Sequence, residues 1–121
     1  STSEKFDSVR KYLYVTGTVE FVLGSMLQYP FAIKNSNIRG LWEGLMKKSI
    51  DINSNFSLSY WVFGTLYSIL GEKDLASKYL GIAYKMNPLL KGFSFKKMLI
   101  SLKKILKKIL LFMTTLIFLM P

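Results

Sequence analysis

The segment SLSYWVFGTLYSILGEKDLASKYLGIAYKMNPLL (57–90) decides the fold. Tyr60, Phe63, Gly64 and Tyr67 recur at helical spacing and lead to Leu70-Gly71, where glycine suits a helix C-cap. Glu72-Lys73-Asp74 then opens a second helix with acids in its first turn, favourable for the helix dipole. That helix carries Leu75, Ala76, Tyr79, Leu80, Ile82 and Ala83 to Met86, and Asn87-Pro88 ends it because proline lacks the N–H and clashes with the preceding turn.

Working outward, the same periodicity continues. Leu41, Trp42, Leu45, Met46, Ser49 and Ile52 stand at three- and four-residue spacing and predict a helix from Ile38 to about Ile52, broken by Asn53-Ser54-Asn55. Upstream, Val9 to about Leu27 is apolar and aromatic, and Gln28-Tyr29-Pro30 stops it. Lys34-Asn35-Ser36-Asn37 is turn chemistry. A last helix is expected from about Ser94. No segment alternates in the manner of a strand, so the chain reads as all-α. Residues 1–11 are expected to be a flexible N-terminus, 12–90 a helical domain, and 91–121 a separate C-terminal helix.

Residues 57–90 resemble the tetratricopeptide repeat, whose 34-residue signature places its anchors where this chain has Tyr60, Phe63, Gly64, Tyr67, Gly71, Ala76, Leu80, Ala83 and Pro88. Phe63 stands where leucine is usual and Leu80 where an aromatic is usual. In keeping with the resemblance, Gly64 and Ala76 are small where two antiparallel helices must approach closely, Tyr60, Tyr67 and Leu80 fill the space between turns, and Ala83 leaves room for the next repeat. Residues 40–56 match the end of a preceding repeat in part, with Ser49 and Ser54 replacing the usual Ala and Pro. Residues 12–39 match poorly, because the connection 29–39 is long and contains Pro30. The resemblance implies about two antiparallel helix pairs, fewer than such arrays usually need to stand alone, so the C-terminal helix or a partner would close the open end. It also implies protein binding without catalysis. The concave contact residues would come from the first helix of each pair: Ser59, Phe63 and Tyr67, with Glu20 and Phe21. Family members that clamp a carboxylate use Lys, Arg and Asn there, and Ser57–Leu70 holds no charge, so an apolar contact surface is implied.

Composition narrows function further. The chain has no Cys and no His among 121 residues, which removes disulfides, thiolate chemistry, the usual general base and the common zinc ligands. An enzyme is not expected, nor is a metal or cofactor. The glycines form no phosphate-cradling motif. Residues 1–8 lack an apolar core and do not read as a secretory signal. The formal charge of +10 is uneven: residues 1–74 carry a net +1, whereas residues 75–121 carry nine lysines and no acid.

The final segment, Lys91 to Pro121, combines that charge with apolar bulk. On a helical wheel Lys96, Lys97, Lys103, Lys104, Lys107 and Lys108 occupy about 140° of arc, with Met98, Leu99, Leu102, Ile105, Leu106 and Ile109 outside it. A basic amphipathic helix of this kind lies in a membrane interface. The uncharged run Ile109 to Met120 covers only about 18 Å, short of the hydrocarbon core. Two other origins stay open: a capping helix with solvated lysines, or AT-rich acidic codons read one base out of frame, which an intact mass distinguishes. Residues 13–33 form a second apolar stretch, long enough to span and interrupted only by Glu20. A solvent-facing Glu20 on an ordinary amphipathic helix is the simpler reading.

Together these features predict a non-enzymatic scaffold, assembly factor or accessory subunit docked on a membrane protein complex, membrane-associated either peripherally or through its C-terminus. Its partners would be subunits of that complex and the lipid surface. A small subunit of a photosynthetic or respiratory complex with an intramembrane helix is the alternative. A basic RNA- or ribosome-associated protein is a further one, disfavoured because nucleic-acid tails seldom interleave lysine with so much Leu, Ile, Met and Phe.

Overall fold

The computed structural model describes residues 2–120, with the side chains of residues 95, 96, 98, 99 and 102 outside the described set. Five α-helices run in chain order: α1 (Thr2–Gln28), α2 (Ser36–Ile52), α3 (Ser57–Leu70), α4 (Lys73–Met86) and α5 (Phe95–Leu119). No strand occurs among the described residues, and the fold is all-α.

At the centre lies α3. It is apolar on every side, and such a helix must be buried. Leu58 through Gly64, Leu66 and Tyr67 are all buried, and α3 touches α1, α2 and α4. Its end is set by Gly71 in the left-handed region at φ 79°. The Gly71 N–H donates to the Ser68 carbonyl at 3.1 Å and the Glu72 N–H to the Tyr67 carbonyl at 2.9 Å, the paired bonds of a Schellman cap. The chain reverses at once into α4, which buries Ala76 and Ala83. The two helices meet at Gly64: a Cβ there would stand 2.7 Å from Leu80 Cγ and 2.8 Å from the Leu80 backbone nitrogen. Around this contact the Phe63 and Tyr79 rings pack at 4.4 Å between centroids, and Tyr67 stacks on Tyr79 at 5.9 Å.

The helix α1 buries Val15, Thr16, Val19, Val22, Leu23 and Met26, a single stripe along its second half. Thr16 disposes of its hydroxyl by donating to the Tyr12 carbonyl at 2.9 Å. Residues 2–11, which fall in the segment expected as a flexible N-terminus, form the opening turns of α1, and α5 packs against α1. A short 3-10 turn, Pro30–Lys34, follows, burying Ile33 and turning Phe31 outward. This break means that residues 13–33 are not one continuous helix, correcting the expectation that the stretch is long enough to span. Asn35 caps α2 by accepting from the N–H groups of Asn37 and Ile38, so α2 begins two residues before its apolar pattern. Trp42, Met46 and Ser49 are its buried face.

After α4, Asn87 accepts from the Leu89 N–H and a second 3-10 turn, Pro88–Gly92, tucks Leu90 into the core. Ser94 caps α5. Rather than extending the α3–α4 side, α5 folds back along α1. The two run antiparallel: Lys103 shares a cavity with Glu20 and Gln28, Ile109 one with Val9 and Tyr12, and Met120 one with Thr2 and Arg10.

Candidate functional site

The partner-binding residues expected on α3 are inside the protein. Ser59 and Phe63 are fully buried and Tyr67 is 5% exposed, so they form no contact surface in this structure. The reason is local. Tyr79 from α4 fills the space over Phe63 and Tyr67, and the Tyr67 hydroxyl donates to Glu43 Oε2 of α2 at 2.6 Å. Glu43 is also paired with Arg39 at 3.8 Å. Burial, followed by this hydrogen bond to a carboxylate, raises the Tyr67 pKa well above the ordinary phenol value. Of the five expected contact residues, only Phe21 is exposed; Glu20 is half-buried.

The residues assigned to helix packing sit where packing occurs. Tyr60 is buried with its hydroxyl donating to the Ser54 carbonyl at 2.8 Å, and Ala76 and Ala83 are buried on α4. Leu80 is half-buried against Gly64, Gly71 is the αL cap, and Pro88 opens the second 3-10 turn. Trp42 and Trp61 are core residues.

The candidate site is the outward face of α5. Lys97, Lys103, Lys104, Lys107 and Lys108 are exposed along its first half; the Lys96 side chain lies outside the described residues. Ile105, Leu106, Ile109, Met113 and Leu116 are half-buried and form the stripe laid against α1. At 100° per residue, the directions that carry Lys104 and Lys107 carry Leu111 and Phe118 further along the helix. The same face therefore changes from cationic to apolar along its length. Phe118 is 87% exposed and Leu119 73%, with Leu110, Leu111 and Ile117 also in the open. Thr114 and Thr115 lie within this apolar end, yet their hydroxyls donate to the carbonyls of Leu110 and Leu111 at 2.8 and 2.9 Å. Their donors are thus satisfied inside the helix, which lowers the cost of placing this end in an apolar medium.

At the other end of the α1–α5 contact, Glu20, Phe21, Gln28, Tyr29 and Lys103 line a cavity of about 300 Å³. Glu20 Oε2 is buried there with no hydrogen-bond partner among the described residues. Glu20 therefore faces the α1–α5 cleft, not open solvent. Two exposed aromatics, Tyr29 and Phe31, escaped the sequence reading. Their signal was present as Pro30 between two rings, in a segment read only as a helix stop. Among the described residues, no group of three acidic, Cys or His side chains is placed to hold a metal, and no helix is long and apolar enough to cross a membrane. No family model, curated protein or solved structure matches the chain.

Proposed function

We propose that this chain is a non-enzymatic scaffold or accessory subunit that docks on a membrane-bound complex, with α1–α2 and α3–α4 as tetratricopeptide-like pairs and α5 as the membrane-facing element. One observation carries the reading: the outward face of α5 presents five exposed lysines followed directly by exposed Leu110, Leu111, Ile117, Phe118 and Leu119. An apolar end enters the acyl boundary while the lysines stay at the phosphate level, the geometry of interfacial helices. Each lysine near an anionic surface contributes about 1 kcal/mol. Each fully buried Leu, Ile or Phe adds roughly 1.5–3 kcal/mol, set against the cost of ordering the chain at the surface. The protein partner is met by apolar contacts from the exposed ring of Phe21 together with Tyr29 and Phe31.

The test is flotation of the full chain with vesicles of phosphatidylcholine containing phosphatidylserine, compared with pure phosphatidylcholine. Binding to the anionic vesicles is expected, and replacing Lys103, Lys104, Lys107 and Lys108 with Glu is expected to abolish it. Flotation that is absent in the native chain, or unchanged in the quadruple variant, rejects the reading.

A further inference from the structure

Resting on that reading, we infer that the first three turns of α1 are a removable cover over the apolar end of α5, and that they leave it when the chain meets an anionic bilayer. In the structure the inner stripe of this end, Ile109, Met113 and Leu116, faces α1. Those turns of α1 carry Glu4, Lys5, Asp7, Arg10 and Lys11, all exposed. Phe112 shares a cavity with Glu4 and Lys5, and Met120 shares one with Asp7 and Arg10. If α5 entered lipid with α1 still attached, these charges would be drawn in with it, and ionised side chains in hydrocarbon are strongly disfavoured.

The seam is built to open at that end. No described side chain of α5 is buried, and no described residue of α1 before Val15 is buried either. Cavities of about 380 and 470 Å³ lie along this part of the contact. Towards the start of α5 the contact is firmer: Ile105 packs against the core cluster, to which the Val15–Met26 stripe of α1 belongs and against which Tyr12, at the end of the third turn, also packs. Between Phe95 and Leu119 there is no Gly or Pro, so α5 stays a straight rod as the cover leaves. Once uncovered, residues 109–120 present no charge on any side. The occupant is lipid, because the lysine band that leads directly into this end suits an anionic headgroup layer beside an acyl interior, whereas a second copy packed in parallel would bring two bands of lysine into contact.

The absence of native cysteine permits a direct experiment. Val9→Cys and Ile109→Cys, which line one cavity across the seam, are joined in the full chain by a short bis-maleimide. Phe118→Trp in the same chain reports depth through quenching by brominated acyl chains in phosphatidylserine-containing vesicles. Emission from buried Trp42 and Trp61 reports that the core is intact. The uncrosslinked protein, its thiols capped singly, is expected to float and show strong quenching. Crosslinking is expected to leave lysine-dependent flotation but to reduce the quenching of the introduced tryptophan by about tenfold, since the charged turns hold the end out of hydrocarbon. Equal quenching with the seam locked overturns the inference and leaves the membrane reading standing. If the uncrosslinked protein does not float at all, both fall. Concentration-dependent burial of the introduced tryptophan without lipid assigns the surface to a second copy and also overturns the inference.

Discussion

Gly64 offers the sharpest test of how the helices are held. An alanine Cβ at this position would lie 2.7 Å from Leu80 Cγ and 2.8 Å from the Leu80 nitrogen. Carbon atoms in contact prefer about 3.5–4.0 Å, so the helices must separate by nearly 1 Å or the clash persists. A side chain can rotate away, but the backbone nitrogen cannot. Separation would also loosen the Phe63–Tyr79 packing at 4.4 Å and the Tyr67–Tyr79 stack. Overpacking of this kind costs about 1–3 kcal/mol, with the backbone contact placing it at the upper end. Alanine returns roughly 1 kcal/mol through its better helix propensity. The net expectation for Gly64→Ala is a loss of about 2 kcal/mol, or a fall in Tm of about 7 °C for a chain of this size.

Gly81→Ala is the control, because Gly81 is exposed on α4 and a Cβ there meets nothing within 4 Å. It should stabilise by up to about 1 kcal/mol. Urea and thermal unfolding followed by circular dichroism measure both variants. The double variant Gly64→Ala/Leu80→Ala should remain less stable than Leu80→Ala alone, since trimming Leu80 removes its side-chain contacts but not its nitrogen. A Gly64→Ala protein as stable as the native chain, with Gly81→Ala behaving as expected, would refute the close approach of α3 and α4.

Two further expectations concern buried polar groups. The Tyr67 pKa is raised in the folded state by burial and by Glu43, so its contribution to stability is full below the ordinary phenol value of 10.0 and is lost as pH rises above it. Tyr67→Phe should therefore cost about 1–2 kcal/mol near neutrality yet lose less stability than the native chain between about pH 10 and 12; parallel stability–pH curves would contradict this. Ser49 and Ser59 are fully buried with hydroxyls that find no partner among the described residues. Replacing either by Ala should be neutral or stabilising by up to about 1 kcal/mol in chemical denaturation, and a loss of more than that would show a hidden partner.

Helix positions were legible because each segment carries its own signals. Asn35 and Ser94 cap, Gly71 ends α3 in a left-handed turn, and Pro30 and Pro88 forbid continuation. The small residue at Gly64, read together with the repeat resemblance, pointed to a close crossing, and a Cβ there would meet Leu80 at 2.7 Å. The surface was harder to read. Phe63 and Tyr67 lie on a first helix of a pair, and whether that face is open depends on what Tyr79 and Glu43 do from other elements. Periodicity shows that a residue faces something, not whether that something is solvent or protein.

By itself, then, the sequence determined five helices with their breaks, the absence of Cys and His chemistry, and a cationic half-helix followed by an apolar one. These are local properties, set by backbone geometry and side-chain type within a few turns. Only the tertiary structure decided that α5 returns along α1 and leaves the α3–α4 side, that residues 2–11 are helical, and that Ser59, Phe63 and Tyr67 are core. Those outcomes depend on contacts between residues far apart in the chain. Periodicity gives α5 an apolar stripe without naming its partner, and in the assembled structure that partner is α1.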